Sequence, residues 1–407
     1  MSQKFINKTA IIISWPREID MYSNFFDMGD HLLFDFIVND VKSREKGRNQ
    51  SNKLIEKILA NRNIKYKLFT KIYRKSMYKN VISTGEICAM HINLYSITKH
   101  VYAVTIGFVL EFTKISKIIN KVFGRPFTAG GIESKIGIEW YPEKKIGITS
   151  IKFPDGADLQ LKNYPFQFYE NIFDVFLSYT DLEISLIKEK FKNKICQKIE
   201  YFRYSEKKKN EKKIDLIQEF KLDSKKLTIV WIPSHLNHKL DEDRNILDWY
   251  EKISFLNKSY NLIIRPHPKT LFRNPSILNK LKKRELNIDI DHNRSLKEMI
   301  VSADLILADY GGIIFDSIYL NKKVVLLDML NSYGFVKMLK ENNSLDISIR
   351  ENLVCMKVDE TKNQILSNIN EALSGRYQEI INKNKSIYFG EKKGLNFYQL
   401  INFLKCL

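Results

Sequence analysis

Cysteine is scarce. The four in this 407-residue chain, Cys88, Cys196, Cys355 and Cys406, lie far apart and form no CxxC pair. The sequence therefore offers neither a disulfide framework nor a structural zinc site, and it suits a reducing compartment. Long apolar runs are missing too. The longest, Val101 to Leu110, is about half the ~20 residues that a membrane span needs. The short apolar run near the N-terminus falls short of a signal-peptide core. There is no Pro/Gly tract, no polar low-complexity block and no repeat at a solenoid period. These absences point to a cytoplasmic protein, soluble or peripheral on the inner face of the cell membrane.

Acidic residues are few relative to basic ones: 47 Asp and Glu against 66 Lys and Arg, a formal charge of +19. Such an excess speaks about partners and not about fold. It is concentrated between Lys42 and Lys79, with thirteen Lys or Arg and two Glu, and again in Lys207, Lys208, Lys209, Lys212 and Lys213. The plain reading of both runs is a solvated face. The functional reading of the first is a surface for an anionic membrane or a charged glycan. A nucleic-acid binder is the third reading, but no RNP-like strand, helix-turn-helix or zinc-finger spacing supports it, so no nucleic-acid partner is expected.

What is present is an alternation of short apolar strands and amphipathic helices. Strands are expected at 9–15, 32–38, 80–87, 146–152 and 173–178, with helices at 50–61 and 180–192. After a charged linker at 203–213, a helix at 214–221 leads to strands at 227–232, 260–264, 286–290, 304–308 and 323–328. Helices at 295–302, 313–321 and 362–373 complete the set. Strand–helix alternation of this kind builds a parallel sheet with crossover helices. With 407 residues, two domains follow. They are an N-terminal acceptor domain over 1–205 and a donor domain over 214–375, with a helical segment at 376–407 that packs back on the first. The helix-periodic stretch 107–125 reads as a helix packed on the sheet, with a membrane-surface helix as the alternative.

Two segments carry chemistry. In LIIRPHPKT, 262–270, a strand ends in a proline-stiffened loop presenting Arg265, His267 and Lys269, where open α/β sheets bind ligands. Arg offers a fork for phosphate oxygens and His a group that titrates near neutrality. In ADLILADYGGIIFDSIYLNKKVVLLD, 303–328, a strand delivers Asp309, and Gly311 and Gly312 open a helix. Amides at such a helix N-terminus favour an anion, and Asp316, a turn further in, is placed to accept hydrogen bonds from sugar hydroxyls. Neither GxGxxG nor a Walker loop is present. Each segment read alone is equally a tight turn.

Together, Arg265-Pro266-His267-Pro268, then Ala308 to Asp316 (ADYGGIIFD), then Leu320 to Val325 resemble the bacterial CDP-glycerol glycerophosphotransferases, the teichoic-acid and capsule transferases. Residues 214–234 resemble that family's entry to its second domain and 390–404 its closing helix, so the resemblance covers about 215–405. It implies an α/β fold of two Rossmann-like domains facing a cleft, the GT-B glycosyltransferase architecture. It implies a nucleotide-activated donor, a glycan or lipid-linked acceptor, no cofactor and no catalytic metal. By resemblance, Arg265 and His267 engage the donor diphosphate, with Asp309, Gly311, Gly312 and Asp316 around it. Two departures stand out. The glycine pair replaces the family's usual Ser-Ser, and the family's N-terminal His-Gly is matched by Asp155-Gly156. Asp155 is therefore the candidate base, beside His267 as the second catalytic residue. His235 and His238 are further candidates whose plain reading is loop histidines. The departures favour, as an alternative, a metal-independent transferase using a CMP- or UDP-sugar in capsule or lipopolysaccharide synthesis.

Overall fold

The structure is a computed structural model, and it describes residues 3–27, 32–41, 48–85, 142–154, 172–204, 215–236, 239–282, 287–291, 294, 296–329, 334–341 and 344–407. The chain divides into two compact α/β units, one over Met1–Asp155, Tyr164–Arg203 and Lys393–Leu407, the other over Gly156–Asn163 and Tyr204–Lys392. The chain returns to the first unit at Lys393 and not at 376. The helix Gly375–Phe389 stays on the second unit, where Tyr377 donates through Oη to the carbonyl of Val324 at 2.7 Å. Among the described residues no helix is long and apolar enough to cross a membrane.

The first unit holds a seven-stranded sheet. Its strands are β1 (Lys4–Ile13), β2 (Phe34–Val38), β3 (Tyr66–Leu68), β4 (Ser76–Ser83), β5 (Gly147–Lys152), β6 (Val175–Ser178) and β7 (Ile195–Lys198), in the order β3-β2-β1-β4-β5-β6-β7. All pairs are parallel. Parallel strands are covered on both faces, which is why Ala10, Ile11, Ile12 and Ile13 are all buried with no polar alternation. One face packs Ala10, Ile12 and Ile37 with Phe69, Tyr78, Val81 and Ile146. The closing helix Phe397–Cys406 seats Phe397 edge-on to Phe25, ring centroids 5.0 Å apart, and Asn80 donates to the carbonyl of Leu404 at 2.7 Å. Gly394 lets this last segment approach, since a Cβ there would lie 2.3 Å from the carbonyl carbon of Ile199. The expected strand at 80–87 begins four residues early, at Ser76. Short β3 and β7 were not foreseen.

The second unit holds β8 (Thr228–Ile232), β9 (Asn261–Ile264), β10 (Asn287–Ile288), β11 (Leu305–Ala308), β12 (Val324–Leu327) and β13 (Cys355–Met356), in the order β10-β9-β8-β11-β12-β13. Every pair is again parallel. Counted within each unit, both sheets start 3-2-1-4-5-6, the order of dinucleotide-binding Rossmann folds. The sequence expectation of two Rossmann-like α/β domains is met. The chain reverses its direction of winding between β8 and β11, and the crevice at their carboxyl ends is where such sheets bind ligands. One helix beside β8, Lys239–Ile253, was absent from the sequence reading, although Ile246, Trp249 and Ile253 form its buried stripe.

Candidate functional site

The second unit's switch point is built from three strand-end loops. After β11, the chain turns through Asp309, Tyr310 and Gly311 into the helix Gly312–Tyr319. Gly311 has φ 91°, a backbone conformation that side chains with a Cβ disfavour. After β8 come Pro233, Ser234 and His235, and after β9 come Arg265, Pro266 and His267.

Asp309 is fully buried. It accepts hydrogen bonds from the backbone N–H of Ser234 at 2.8 Å, that of Tyr310 at 2.9 Å and the side-chain amide of Asn245 at 3.1 Å. Burial raises its pKa, against those hydrogen bonds. Its work is to bolt the β8 loop to the β11 loop, and Ser234 adds a hydrogen bond from Oγ to the carbonyl of Tyr310. Arg350 closes the far side. It donates to the carbonyl of Asp309 and lies over the Tyr310 ring, 3.8 Å from its centroid. Asp346, buried and raised in pKa mainly by that burial, accepts the N–H of Gly311 at 2.9 Å. Neither Arg350 nor Asp346 was foreseen. Both follow β12, some forty residues from the turn they hold.

Several expectations therefore change. The Gly311 amide is occupied by Asp346, so the amides left at this helix start are those of Gly312 and Ile313, neither of which meets an acceptor among the described residues. Asp316 is buried within its helix and not presented to solvent for a sugar. Arg265 is drawn inward. Its guanidinium donates to Asp289 at 2.6 Å and to the carbonyl of Arg294 at 2.6 Å, because Asp289 is almost fully buried and needs charged partners. Arg294 serves the same Asp289 and also pairs with Glu219. Asp155 lies outside the described residues, as do His238 and the stretch 107–125.

His267 stays at the site, and the structure adds a neighbour. His235 stacks against it with ring centroids 5.8 Å apart and planes at 27°. His235 Nδ1 lies 2.7 Å from Glu242 in the helix Lys239–Ile253. Burial alone would raise the pKa of Glu242, but hydrogen bonds from His235, Thr270 and Asn274 hold it below the ordinary carboxylate value. Glu242 is therefore an acceptor only, and Nδ1 carries the ring proton between them. Two histidines thus meet across the ends of β8 and β9, and the β8 loop adjoins a helix N-terminus with unclaimed amides. Such a constellation suits a phosphate group.

Residues 202–329 match the family model described as CDP-Glycerol:Poly(glycerophosphate) glycerophosphotransferase. This segment belongs to that family. The glycerophosphotransferase segment takes in β8 through β12 and every residue of the site except Asp346 and Arg350, and it marks the protein as a transferase enzyme of the glycerophosphotransferase kind. Among solved structures, the wall teichoic acid polymerase TagF, in a histidine-to-asparagine variant with CDPG, aligns with a TM-score of 0.51 and 14% identity, covering 98% of this chain and 87% of that one. TagF without such a variant gives 0.50 and 13% identity over the same shares. At those identities the likeness is one of fold. No curated protein sequence matches the chain.

Proposed function

We propose that the protein moves a glycerophosphate, or a related phosphoalditol, from a CDP-type donor to a cell-surface glycan or lipid-linked acceptor. The observation that carries this reading is the pair of amides, Gly312 and Ile313, opening a helix next to the β8 loop, whose His235 stacks on His267, within the glycerophosphotransferase segment. An acceptor hydroxyl attacks the phosphorus bearing the alditol. The bond from that phosphorus to the nucleotide's bridging oxygen breaks, and the nucleotide monophosphate leaves. The hydroxyl proton passes to a base, for which Asp155 is the proposed residue. The two amides and His267 stabilise the charge that gathers on the departing phosphate, where a fixed donor is worth most. In this reading the basic first unit handles the acceptor at the cytoplasmic face of the membrane.

The glycine pair supports a second reading. Gly311 and Gly312 offer backbone donors alone, without hydroxyls, and that would suit a CMP- or UDP-sugar equally well. A melting-temperature panel with CDP, CMP, UDP and UMP separates the two, because a nucleotide bound to the native state raises its melting point by mass action. CDP should give the largest rise, and CDP-glycerol should support transfer that His267→Ala abolishes in a folded protein. A panel in which UDP or CMP alone raises the melting point would favour the sugar reading. If no nucleotide shifts it, the donor site is misassigned.

A further inference from the structure

Glu242 is almost fully buried, in the first turn of the helix Lys239–Ile253. Four hydrogen-bond donors converge on it. Its Oε1 accepts from His235 Nδ1 at 2.7 Å, the N–H of Leu236 at 3.3 Å and Thr270 Oγ1 at 2.6 Å, and its Oε2 accepts from Asn274 Nδ2 at 3.2 Å. A carboxylate has about four lone-pair positions for such donors, and here three donors crowd Oε1 and one reaches Oε2. The donors come from two different strand-end segments: His235 and Leu236 follow β8, and Thr270 and Asn274 follow β9. One buried carboxylate therefore ties the two loops together.

His267 lies three residues before Thr270 in the segment that follows β9. Its carbonyl accepts the N–H of Thr270 at 2.9 Å, which starts the helix Pro268–Arg273. Its ring stacks on His235. Glu242 grips Thr270 by its hydroxyl and His235 by its ring, so it holds His267 from the backbone side and from the ring side at once. We propose that Glu242 is the positioning residue of the donor-phosphate subsite, setting the spacing of the β8 and β9 loops and through it the affinity of His267 for a diphosphate. This rests on the reading of His267 as a donor-phosphate ligand. Nothing in local sequence marks the role, since Glu242 stands among four acids and bases in KLDEDR.

The test is calorimetric titration of the full chain with CDP and, separately, with inorganic pyrophosphate. Glu242→Ala should bind both about tenfold more weakly, the scale of one lost charge-assisted contact at the site. Glu242→Gln keeps a carbonyl for His235, Leu236 and Thr270 but turns an amide N–H toward Asn274, so it should lose about threefold. Thr270→Val, which deletes one grip and preserves shape, should also weaken binding by a few-fold. It decides the matter if Glu242→Ala does not fold. Ring-nitrogen NMR of His235 should move in both Glu242 variants and not merely broaden, a change that general destabilisation does not give. Should folded Glu242→Ala and Thr270→Val bind like wild type while His267→Ala does not, the positioning role is wrong and the donor site stands. Wild-type binding of pyrophosphate without any nucleotide would sink the donor reading while the pyrophosphate arm still tests Glu242. If wild type binds neither probe, both ideas fall.

Discussion

The two units share a topology and differ at the place where that topology binds ligands. In the first, β1 ends in Ser14 and Trp15, and the helix Pro16–Met21 follows directly. The amides of Ser14 and Trp15 are already filled. Glu18, fully buried, accepts the N–H of Ser14 at 2.5 Å and that of Trp15 at 3.2 Å, and takes the hydroxyl of Thr84 at the end of β4 at 2.6 Å. In the second unit, the helix after β11 begins at Gly312, and no carboxylate among the described residues reaches the amides of Gly312 and Ile313. Carboxylates take up amides in both crevices, Glu18 in the first and Asp309 and Asp346 in the second, but in the second the Gly312 and Ile313 amides are left over. The helix after β1 and the helix after β8 each set an early buried acid, Glu18 and Glu242, against the end of their strand, and the open amides of the second unit belong to the helix after β11.

The largest effect is expected from spoiling the open crevice. Gly311 has φ 91°, and a Cβ there would make only an ordinary contact, with Ser234 Oγ at 3.8 Å. Gly311→Val should therefore strain the turn by about 1–3 kcal/mol without a packing clash, and reduce CDP affinity by more than tenfold in a protein that still folds. Unchanged affinity in titration would show that the turn does not shape the site. Next, Glu18→Ala should do the reverse, costing roughly 2–3 kcal/mol of stability through buried amides and a hydroxyl left without their acceptor, as read by urea unfolding, while CDP affinity stays at the wild-type value.

A smaller effect concerns acid. The folded-state pKa of Glu242 is depressed, so its contribution is fully present above the unfolded value and is lost as pH falls through the lower folded one. Asp309 and Asp346 are raised by burial. Their contribution has the opposite sign: it is present below the unfolded value and lost as pH rises through the raised one. The stability deficit of Glu242→Gln should accordingly be greatest near pH 7 and close as pH drops below the usual carboxylate range. A deficit independent of pH would mean that Glu242 is not held ionised.

The smallest expected effect is on the face of the first unit. Lys65, Lys71, Arg74 and Lys75 are exposed, whereas Lys67 is engaged with Asp35 at 2.6 Å. Each free cation near an anionic leaflet is worth about 1 kcal/mol, screened by salt. Replacing those four by Gln should weaken flotation with anionic liposomes at low salt and leave CDP binding alone. If the wild-type chain does not float at low salt, the membrane version of the acceptor surface fails.

The parallel strands in both units were legible because buried β-branched runs such as AIII and TIVWI state themselves locally. The edge strands β3, β7 and β13, two to four residues long, carry too little pattern to be seen. The helix Lys239–Ile253 could have been read, since acids at 241 and 242 precede apolar residues at 246, 249 and 253. Missing it hid Glu242 and left His235 as an apparent loop residue. At the site, the glycine turn was legible because only glycine suits φ 91°. The fates of Arg265 and Asp309 were not, because their partners Asp289, Ser234 and Asn245 are 24 to 75 residues away in sequence. A charged residue at a strand end reads the same whether it faces a ligand or a buried counter-ion.

Amide hydrogen exchange with and without saturating CDP tests the contrast between the two crevices most directly. The account predicts added protection in the segment from Asp309 to Asp316, with lesser protection in the loops bearing His235 and His267, and no change from Ile12 to Glu18. Protection appearing at Ile12 to Glu18 instead, or a bound nucleotide that leaves Gly312 and Ile313 exchanging as before, would contradict it.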